Sequence, residues 1–274
     1  KLKKKLLVNG NDDNESINHF EKMYSIIWFL PEMERLFLGS PALRRNFIDR
    51  LIYGTDKDYL KLVNKYKKQI LERNTILKKR NFDKNWIDQL EKEIVVCGLD
   101  IYSKRFKHLK ILNSGIKSLS INNNNAYSFE LKINDIFFNE LDKNKDIDNK
   151  SEYLSAIKSN REYDTIVGGC KIGPHKSDIQ AFHLGENLYL NFCSTGQQKT
   201  SILLIMVAQC EYLKNKLNRQ PILLFDEVCS HLDKNNRELL LEIINSLNVQ
   251  TFFTGTEKNF FSFLSTKASY YYIN

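Results

Sequence analysis

The stretch ILLFDEVCSHLD, residues 222 to 233, ends an apolar run on two adjacent carboxylates, Asp226 and Glu227, with Ser230 and Asp233 following within one helical turn. Four apolar residues in a row, Ile222 to Phe225, read as a buried strand. In open parallel sheets, ligands bind at the carboxyl ends of such strands. A first carboxylate there suits Mg²⁺, directly or through water, and a second suits orienting and deprotonating an attacking water, as in hydrolysis of a nucleoside triphosphate. A hydrophobic strand ending in acids is common, so the pair alone has low specificity.

Its companions narrow the reading. STGQQK (Ser194, Thr195, Gly196, Gln197, Gln198, Lys199) stands at the start of a long apolar helix pattern, TSILLIMVAQCEYL. Ser194 and the amides around Gly196 would face outward from the helix start, where unpaired N–H groups and the helix dipole favour a phosphate. An ordinary serine N-cap explains the same residues without a ligand. TFFTGT follows the acids as the next strand and ends in hydroxyls, Thr254 among them, suited to a phosphate or water contact.

Elements must place these groups. MYSIIWFLPE reads as a strand closed by Pro31, and Ser40 and Pro41 as the cap and first turn of a helix carrying Arg44 and Arg45. From Asp56 to about Asn113 the pattern is helical. Leu60, Val63, Tyr66, Ile70 and Leu77 form one stripe, and Phe82, Trp86, Leu90, Ile94, Cys97 and Ile101 another, with RNFDKNW as the connection. The Phe82 and Trp86 stripe is expected in a core rather than as a base-stacking platform. Gly98 is expected to kink or break the second helix. Tyr127 to Ile133 alternates as a strand, 138–150 reads as a loop and SEYLSAIKSNREYD as a helix. The last third reads as strands near DIQAFHL and NLYLNF, a helix from about Gln197 to Leu217, the strand PILLFD, the helix NNRELLLEIINSL and the strand QTFFTGT. That alternation predicts a parallel α/β sheet.

Composition suits a soluble globular protein of one or two domains: 274 residues, 42% hydrophobic, net charge +8. No apolar run reaches the roughly 18 residues of a membrane span, and the basic N-terminus lacks the apolar core and cleavage site of a signal peptide. The sequence does not begin with Met, which suggests a fragment or a processed chain. Five scattered cysteines without metal-ligand spacing read as reduced, buried thiols of a cytoplasmic protein. Excess lysine favours an anionic partner such as nucleic acid. Lys57 to Arg80 holds nine Lys/Arg, including Lys67 and Lys68, against two acids. Such a run is either a solvated helix face or a surface that tracks phosphates.

The order of motifs resembles the C-terminal half of an ABC-type ATPase head. Three further matches resemble RecF, the bacterial recombinational-repair ATPase family related to SMC proteins. They are WFLPEMERLFLGSPALRRNFIDRLI, the GPHKSD of Gly173 to Asp178 (a GPHR-type motif), and LLFDEVCSHLD; STGQQK is similar to the family's STGEQK, with Gln197 where glutamate is usual. The resemblance implies an ABC-ATPase-type head of P-loop NTPase kind with an inserted α-helical lever arm: residues 1–40 as the remainder of an N-terminal lobe, 41–165 as the insertion, 166–274 as the C-terminal lobe. It implies ATP and Mg²⁺ as cofactors, with Asp226 on the metal, Glu227 catalytic, and Ser194, Thr195, Gly196, Gln197, Asp233 and Thr254 at the nucleotide, partly across a head-to-head homodimer. It further implies binding to single-stranded or gapped DNA, work with RecO and RecR in loading RecA during recombinational repair and the SOS response, and no membrane partner. Arg44, Arg45, Lys67, Lys68, His175 and Lys176 are the candidate DNA contacts. Another SMC-like or ABC ATPase is the alternative, as is a non-catalytic DNA-binding remnant.

One departure bears on activity. No glycine in the sequence is followed by lysine, so the GxxxxGK[ST] loop that wraps nucleotide phosphates is not among these residues. The sequence therefore reads as a RecF lacking its first strands and P-loop, either a fragment or a split or decaying gene, and inactive on its own.

Overall fold

A computed structural model describes residues 7–79, 83–122, 128–135, 137, 149–228, 234–262, 264 and 268–272. The chain divides into two compact units, the first comprising Lys1–Leu36, Leu112–Phe129 and His183–Asn274, the second Phe37–Ile111 and Glu130–Phe182. The expected SxLD residues Ser230 and Asp233, the aromatics Phe82 and Tyr127, and most of the loop expected at 138–150 lie outside the described residues.

Unit one is built on a parallel sheet of β1 (Tyr24–Phe29), β5 (Gln220–Phe225) and β6 (Gln250–Phe253), with β5 in the middle. Its register runs from Tyr24↔Gln220 to Phe29↔Phe225 on one side and from Ile222↔Gln250 to Phe225↔Phe253 on the other. Alternation along the strands sends Ile27, Phe29, Leu223 and Phe225 into the core. A helix of 23 residues, α7 (Thr195–Leu217), is buried from Gln198 to Cys210 except at Lys199, and packs on β1 and β5. The last turns of α4 (Lys84–Asn122) cross it closely: a Cβ on Gly115 would lie 2.9 Å from that of Ala208. A further helix, α8 (Lys234–Leu247), also packs on α7. The other face of the sheet presents Ile26, Leu224 and Phe252 at 49%, 36% and 50% exposure.

Unit two is mainly helical: α2 (Pro41–Tyr53), α3 (Lys57–Leu77), α4 as far as Ile111, α5 (Asn149–Ser159) and α6 (Arg161–Val167). Ser40 and Pro41 start α2 as expected, although the Ser40 hydroxyl makes no capping bond. Asp56 caps α3 by accepting from the amides of Asp58 and Tyr59. Arg73 of α3 has no solvent exposure and donates to Glu91 of α4 (2.8 Å), Asp164 of α6 (2.7 Å) and the Ile157 carbonyl of α5 (2.9 Å). Arg105 of α4 grips both oxygens of Asp49 of α2 at 2.8 Å.

Four expectations are corrected. The expected strands DIQAFHL and NLYLNF do not join the parallel sheet: β3 (Asp178–His183) pairs instead with β2 (Phe129–Asn134), and the second stretch holds only β4 (Leu188–Tyr189) before a 3-10 turn over Leu190–Phe192 that buries Leu190. SEYLSAIKSNREYD forms two helices parted at Asn160, whose backbone (φ −89°, ψ 4°) is not helical. Gly98 does not break α4, which runs unbroken through it; a Cβ there would meet the Tyr153 ring at 2.8 Å, a packing reason for glycine. Trp86 is 60% exposed instead of buried, and Leu60 is 45% exposed, because Ile87 and Tyr59, one residue along, fill the inward positions with no exposure at all.

The Gly98→Ala variant should separate helix propensity from packing. Alanine gains about 1 kcal/mol as a helix former, but overpacking against buried Tyr153 costs about 1–3 kcal/mol. Thermal unfolding is expected to show a lower Tm than the parent, whereas a propensity-limited site would show a higher one.

Candidate functional site

Asp226 and Glu227 stand exposed just beyond the carboxyl end of the middle strand of the parallel sheet. Backbone bonds carry the ladder past the strand and hold them: the Asp226 amide donates to the Phe29 carbonyl at 3.0 Å, the Glu227 amide to the Thr254 carbonyl at 3.2 Å, and the Thr254 amide to the Phe225 carbonyl at 2.9 Å. The Thr254 hydroxyl donates to Asp226 Oδ1 at 2.5 Å. Glu227 has φ 51°, in the left-handed region that non-glycine residues seldom adopt. This conformation departs from that of the strand before it at the second acid.

A second cluster lies at the start of α7. Ser194 caps it, its hydroxyl accepting from the Gln197 amide, while Gln197 Oε1 accepts from the Ser194 amide at 2.8 Å, a closed capping box. Gln197 Nε2 donates in turn to Glu186 at 2.5 Å. The ordinary N-cap is thus formed, and the first-turn amides of exposed Thr195 and of Gly196 remain without intrahelical acceptors. Lys199 turns away, pairing with Glu34 at 3.0 Å.

The candidate DNA contacts fall into two sets. Arg44 makes a bidentate pair with Asp178 (2.8 and 2.9 Å) and donates to the carbonyls of Phe37 and Gly39, so it serves the protein itself. Arg45 donates to the Ser177 carbonyl, and burial lowers the pKa of its guanidinium. His175 has both ring nitrogens engaged, Nε2 with the Cys170 carbonyl at 2.9 Å and Nδ1 with the Tyr66 hydroxyl at 2.8 Å. A carbonyl only accepts, so Nε2 carries the proton and Nδ1 takes the one from Tyr66. Burial lowers the His175 pKa to about 4. The tight Gly173 turn beside it (φ 129°) leaves no space for a Cβ, which would sit 2.3 Å from the Tyr153 hydroxyl. Lys67, Lys68 and Lys176 are exposed.

Asp226 and Thr254 offer hard oxygen donors, with Glu227 adjacent. That set fits Mg²⁺, which keeps several waters and is commonly held through one or two carboxylates and substrate phosphates. Among the described residues no cluster of three His, Cys, Asp or Glu side chains is placed to hold a metal by itself, and no helix is long and apolar enough to cross a membrane.

No family model matches the chain. The RecF protein of Rickettsia bellii, a DNA replication and repair protein, is 32% identical over 247 residues, covering 90% of this chain and 68% of its own length. The chain belongs to the RecF family. RecF of Rickettsia conorii is 32% identical over 258 residues, covering 94% of this chain and 71% of its own, and RecF of Agrobacterium fabrum 29% over 273 residues, covering 100% and 72%. Among solved structures, the recombination mediator protein RecF-ATPrS in the RecFOR pathway matches with a TM-score of 0.75 at 21% identity over 93% of this chain and 68% of that one. RecF-ATP matches with a TM-score of 0.71 at 22% identity over 92% and 68%. The α/β fold is therefore that of RecF structures.

Sequence reasoning missed the left-handed Glu227 and the Gln197–Glu186 bond. The first has no local signal in a non-glycine residue, and the second joins residues whose proximity only the fold creates.

His175 makes stability depend on pH. Its folded pKa lies below its unfolded value near 6.5, so the unfolded chain takes up the proton first as pH falls. The stabilisation is complete above pH 6.5 and is lost progressively towards pH 4, by up to about 3 kcal/mol. Urea unfolding across that range is expected to show the loss, and a His175→Gln variant a shallower dependence.

Proposed function

We propose that this RecF-family chain supplies the acid-bearing and signature half of an ATP-dependent DNA-binding head. The observation that carries the reading is the placement of Asp226 and Glu227 at the carboxyl end of the middle parallel strand, with Thr254 of the neighbouring strand bonded to Asp226. Asp226 would take the Mg²⁺ of bound ATP, and Mg²⁺ supplies charge neutralisation at the phosphate oxygens. Glu227 would orient an attacking water and accept its proton. Ser194, Thr195, Gly196 and Gln197 would meet the γ-phosphate held by the other subunit of a homodimer, using the first-turn amides of α7. Asp233 belongs to the same site by its place in the SxLD motif.

The substrate surface is DNA, single-stranded or gapped, consistent with the net charge of +8 and with exposed Lys67, Lys68 and Lys176. Cooperation with RecO and RecR in loading RecA, in the cytoplasm, belongs to the same proposal; the RecFOR pathway named for the solved relatives supports the RecO and RecR part. A second reading is favoured by one observation, the lack of any glycine-lysine pair in this sequence. On that reading these residues alone act as a non-catalytic DNA-binding module.

Mg²⁺-dependent ATP binding and hydrolysis, measured on the chain alone and with an added polypeptide bearing a GxxxxGK[ST] lobe, decide between them. The expected result is hydrolysis only in the mixture, lowered about 100-fold or more by Glu227→Gln with nucleotide binding kept. Absence of nucleotide binding in both samples, with DNA binding intact, would establish the module instead.

A further inference from the structure

The exposed tryptophan of unit two is part of a groove. Between α3 and α4 runs an open surface channel of about 450 Å³, lined by Lys65, Lys68, Gln69 and Glu72 on one side and by Trp86 and Glu93 among others on the opposite side. It adjoins a second depression of about 310 Å³ that shares Lys65 and Glu93 and adds Lys92 and Lys150. Trp86 keeps 60% of its surface in solvent. This is a large amount for the largest apolar side chain on a helix whose inward stripe is already filled.

Gln69 points to a ligand independently of Trp86. It is only 6% exposed, and its Nε2 donates to Glu93 at 2.7 Å, which fixes the amide so that Oε1 is the remaining polar atom. That oxygen is buried and has no hydrogen-bond partner. An unsatisfied buried acceptor costs about 1–3 kcal/mol, so a ligand that brings an N–H to it recovers that cost. Glu93 is occupied by this bond and by Lys65 at 3.8 Å, leaving Glu72 as the other carboxylate against Lys68, Lys92 and Lys150.

An aromatic face, a buried unpaired acceptor on a residue lining the same groove and lysines along the channel together complement the chemistry of an unstacked base. We propose that this groove binds single-stranded DNA, one base stacking on Trp86 and giving an N–H to Gln69 Oε1, with flanking phosphates on the lysines. Every base offers a π-face and a ring or amino N–H, so the site recognises single strands without selecting a sequence. The proposal rests on the DNA-binding reading above and adds a place and a strand preference to it. The phosphate part weakens with salt, whereas the stacking part does not.

The test is fluorescence anisotropy of a short labelled single strand and of the matching duplex, titrated with the whole chain and with Trp86→Ala, Trp86→Phe and Gln69→Leu variants. Trp86 is exposed, so its substitution leaves the fold intact, which circular dichroism verifies. Trp86→Ala is expected to weaken single-strand binding about 10-fold, with duplex binding unchanged and Trp86→Phe largely restoring affinity; Gln69→Leu is expected to weaken the single strand alone. Unaltered single-strand affinity in Trp86→Ala, with DNA still bound, would overturn the groove but not the DNA-binding reading. Failure of the parent to bind either DNA would overturn both. Trp86 fluorescence quenched by an acidic peptide and not by the oligonucleotide would also overturn the proposal and make the groove a protein-docking site.

Discussion

A guanidinium with no solvent around it governs the assembly of the helical unit. Arg73 reaches three other helices at once: Glu91 of α4, Asp164 of α6 and the last turns of α5 through the Ile157 carbonyl. Arg161 adds a second cation against Glu91 and Asp88. A charge so placed is tolerable only when every donor is met, and removing one partner of a buried pair costs about 3–5 kcal/mol. Such a network is therefore less a source of net stability than a demand on geometry, because only one arrangement of the four helices satisfies it. Arg105 imposes a similar demand through Asp49 and the Pro174 carbonyl. Tyr66 and Tyr153, both buried, come so close that a Cβ would clash with Tyr153 at position 98 and with both at position 173. With α3 and α4 held in this way, exposed Trp86 is presented on a scaffold that does not depend on it, beside the Gln69–Glu93 bond that joins the two helices.

The unit built on the parallel sheet relies on a different constraint, the backbone ladder. Asp226 and Glu227 are fixed through their own amides, which continue the sheet hydrogen bonds beyond the regular strands on both sides. Their position therefore survives changes to either side chain, and chemistry at the carboxylates can be varied without moving the chain. The burial of α7 shows how its N-terminus can face solvent while the helix is anchored: the stretch from Gln198 to Cys210 is held in the core apart from Lys199, and the first turn and the last turns are open.

Much of this was legible in the sequence. The apolar run Ile222 to Phe225, with acids after it, needed no more than local pattern, and the Ser40–Pro41 and Ser194 helix starts follow from capping chemistry. Trp86 was misplaced because periodicity identifies a stripe only to within one neighbour at a helix end, and Ile87 lies about 100° around the helix from it. Gly98 was misread because propensity describes the helix itself, while the reason for the glycine is Tyr153, 55 positions away in sequence. The partner of β3 was hidden for a similar reason, since strand pairing over long separations leaves no local trace. His175 looked available as a motif residue, but Tyr66 and the Cys170 carbonyl had already taken its ring.

The amide at Gln197 constrains what can replace it. Its Nε2 donates to Glu186 while its Oε1 closes the cap on Ser194. A glutamate in its place would keep the cap but exchange the donor for a second carboxylate facing Glu186 at hydrogen-bond distance. A glutamate at 197 is therefore expected to lose this contact unless position 186 changes as well.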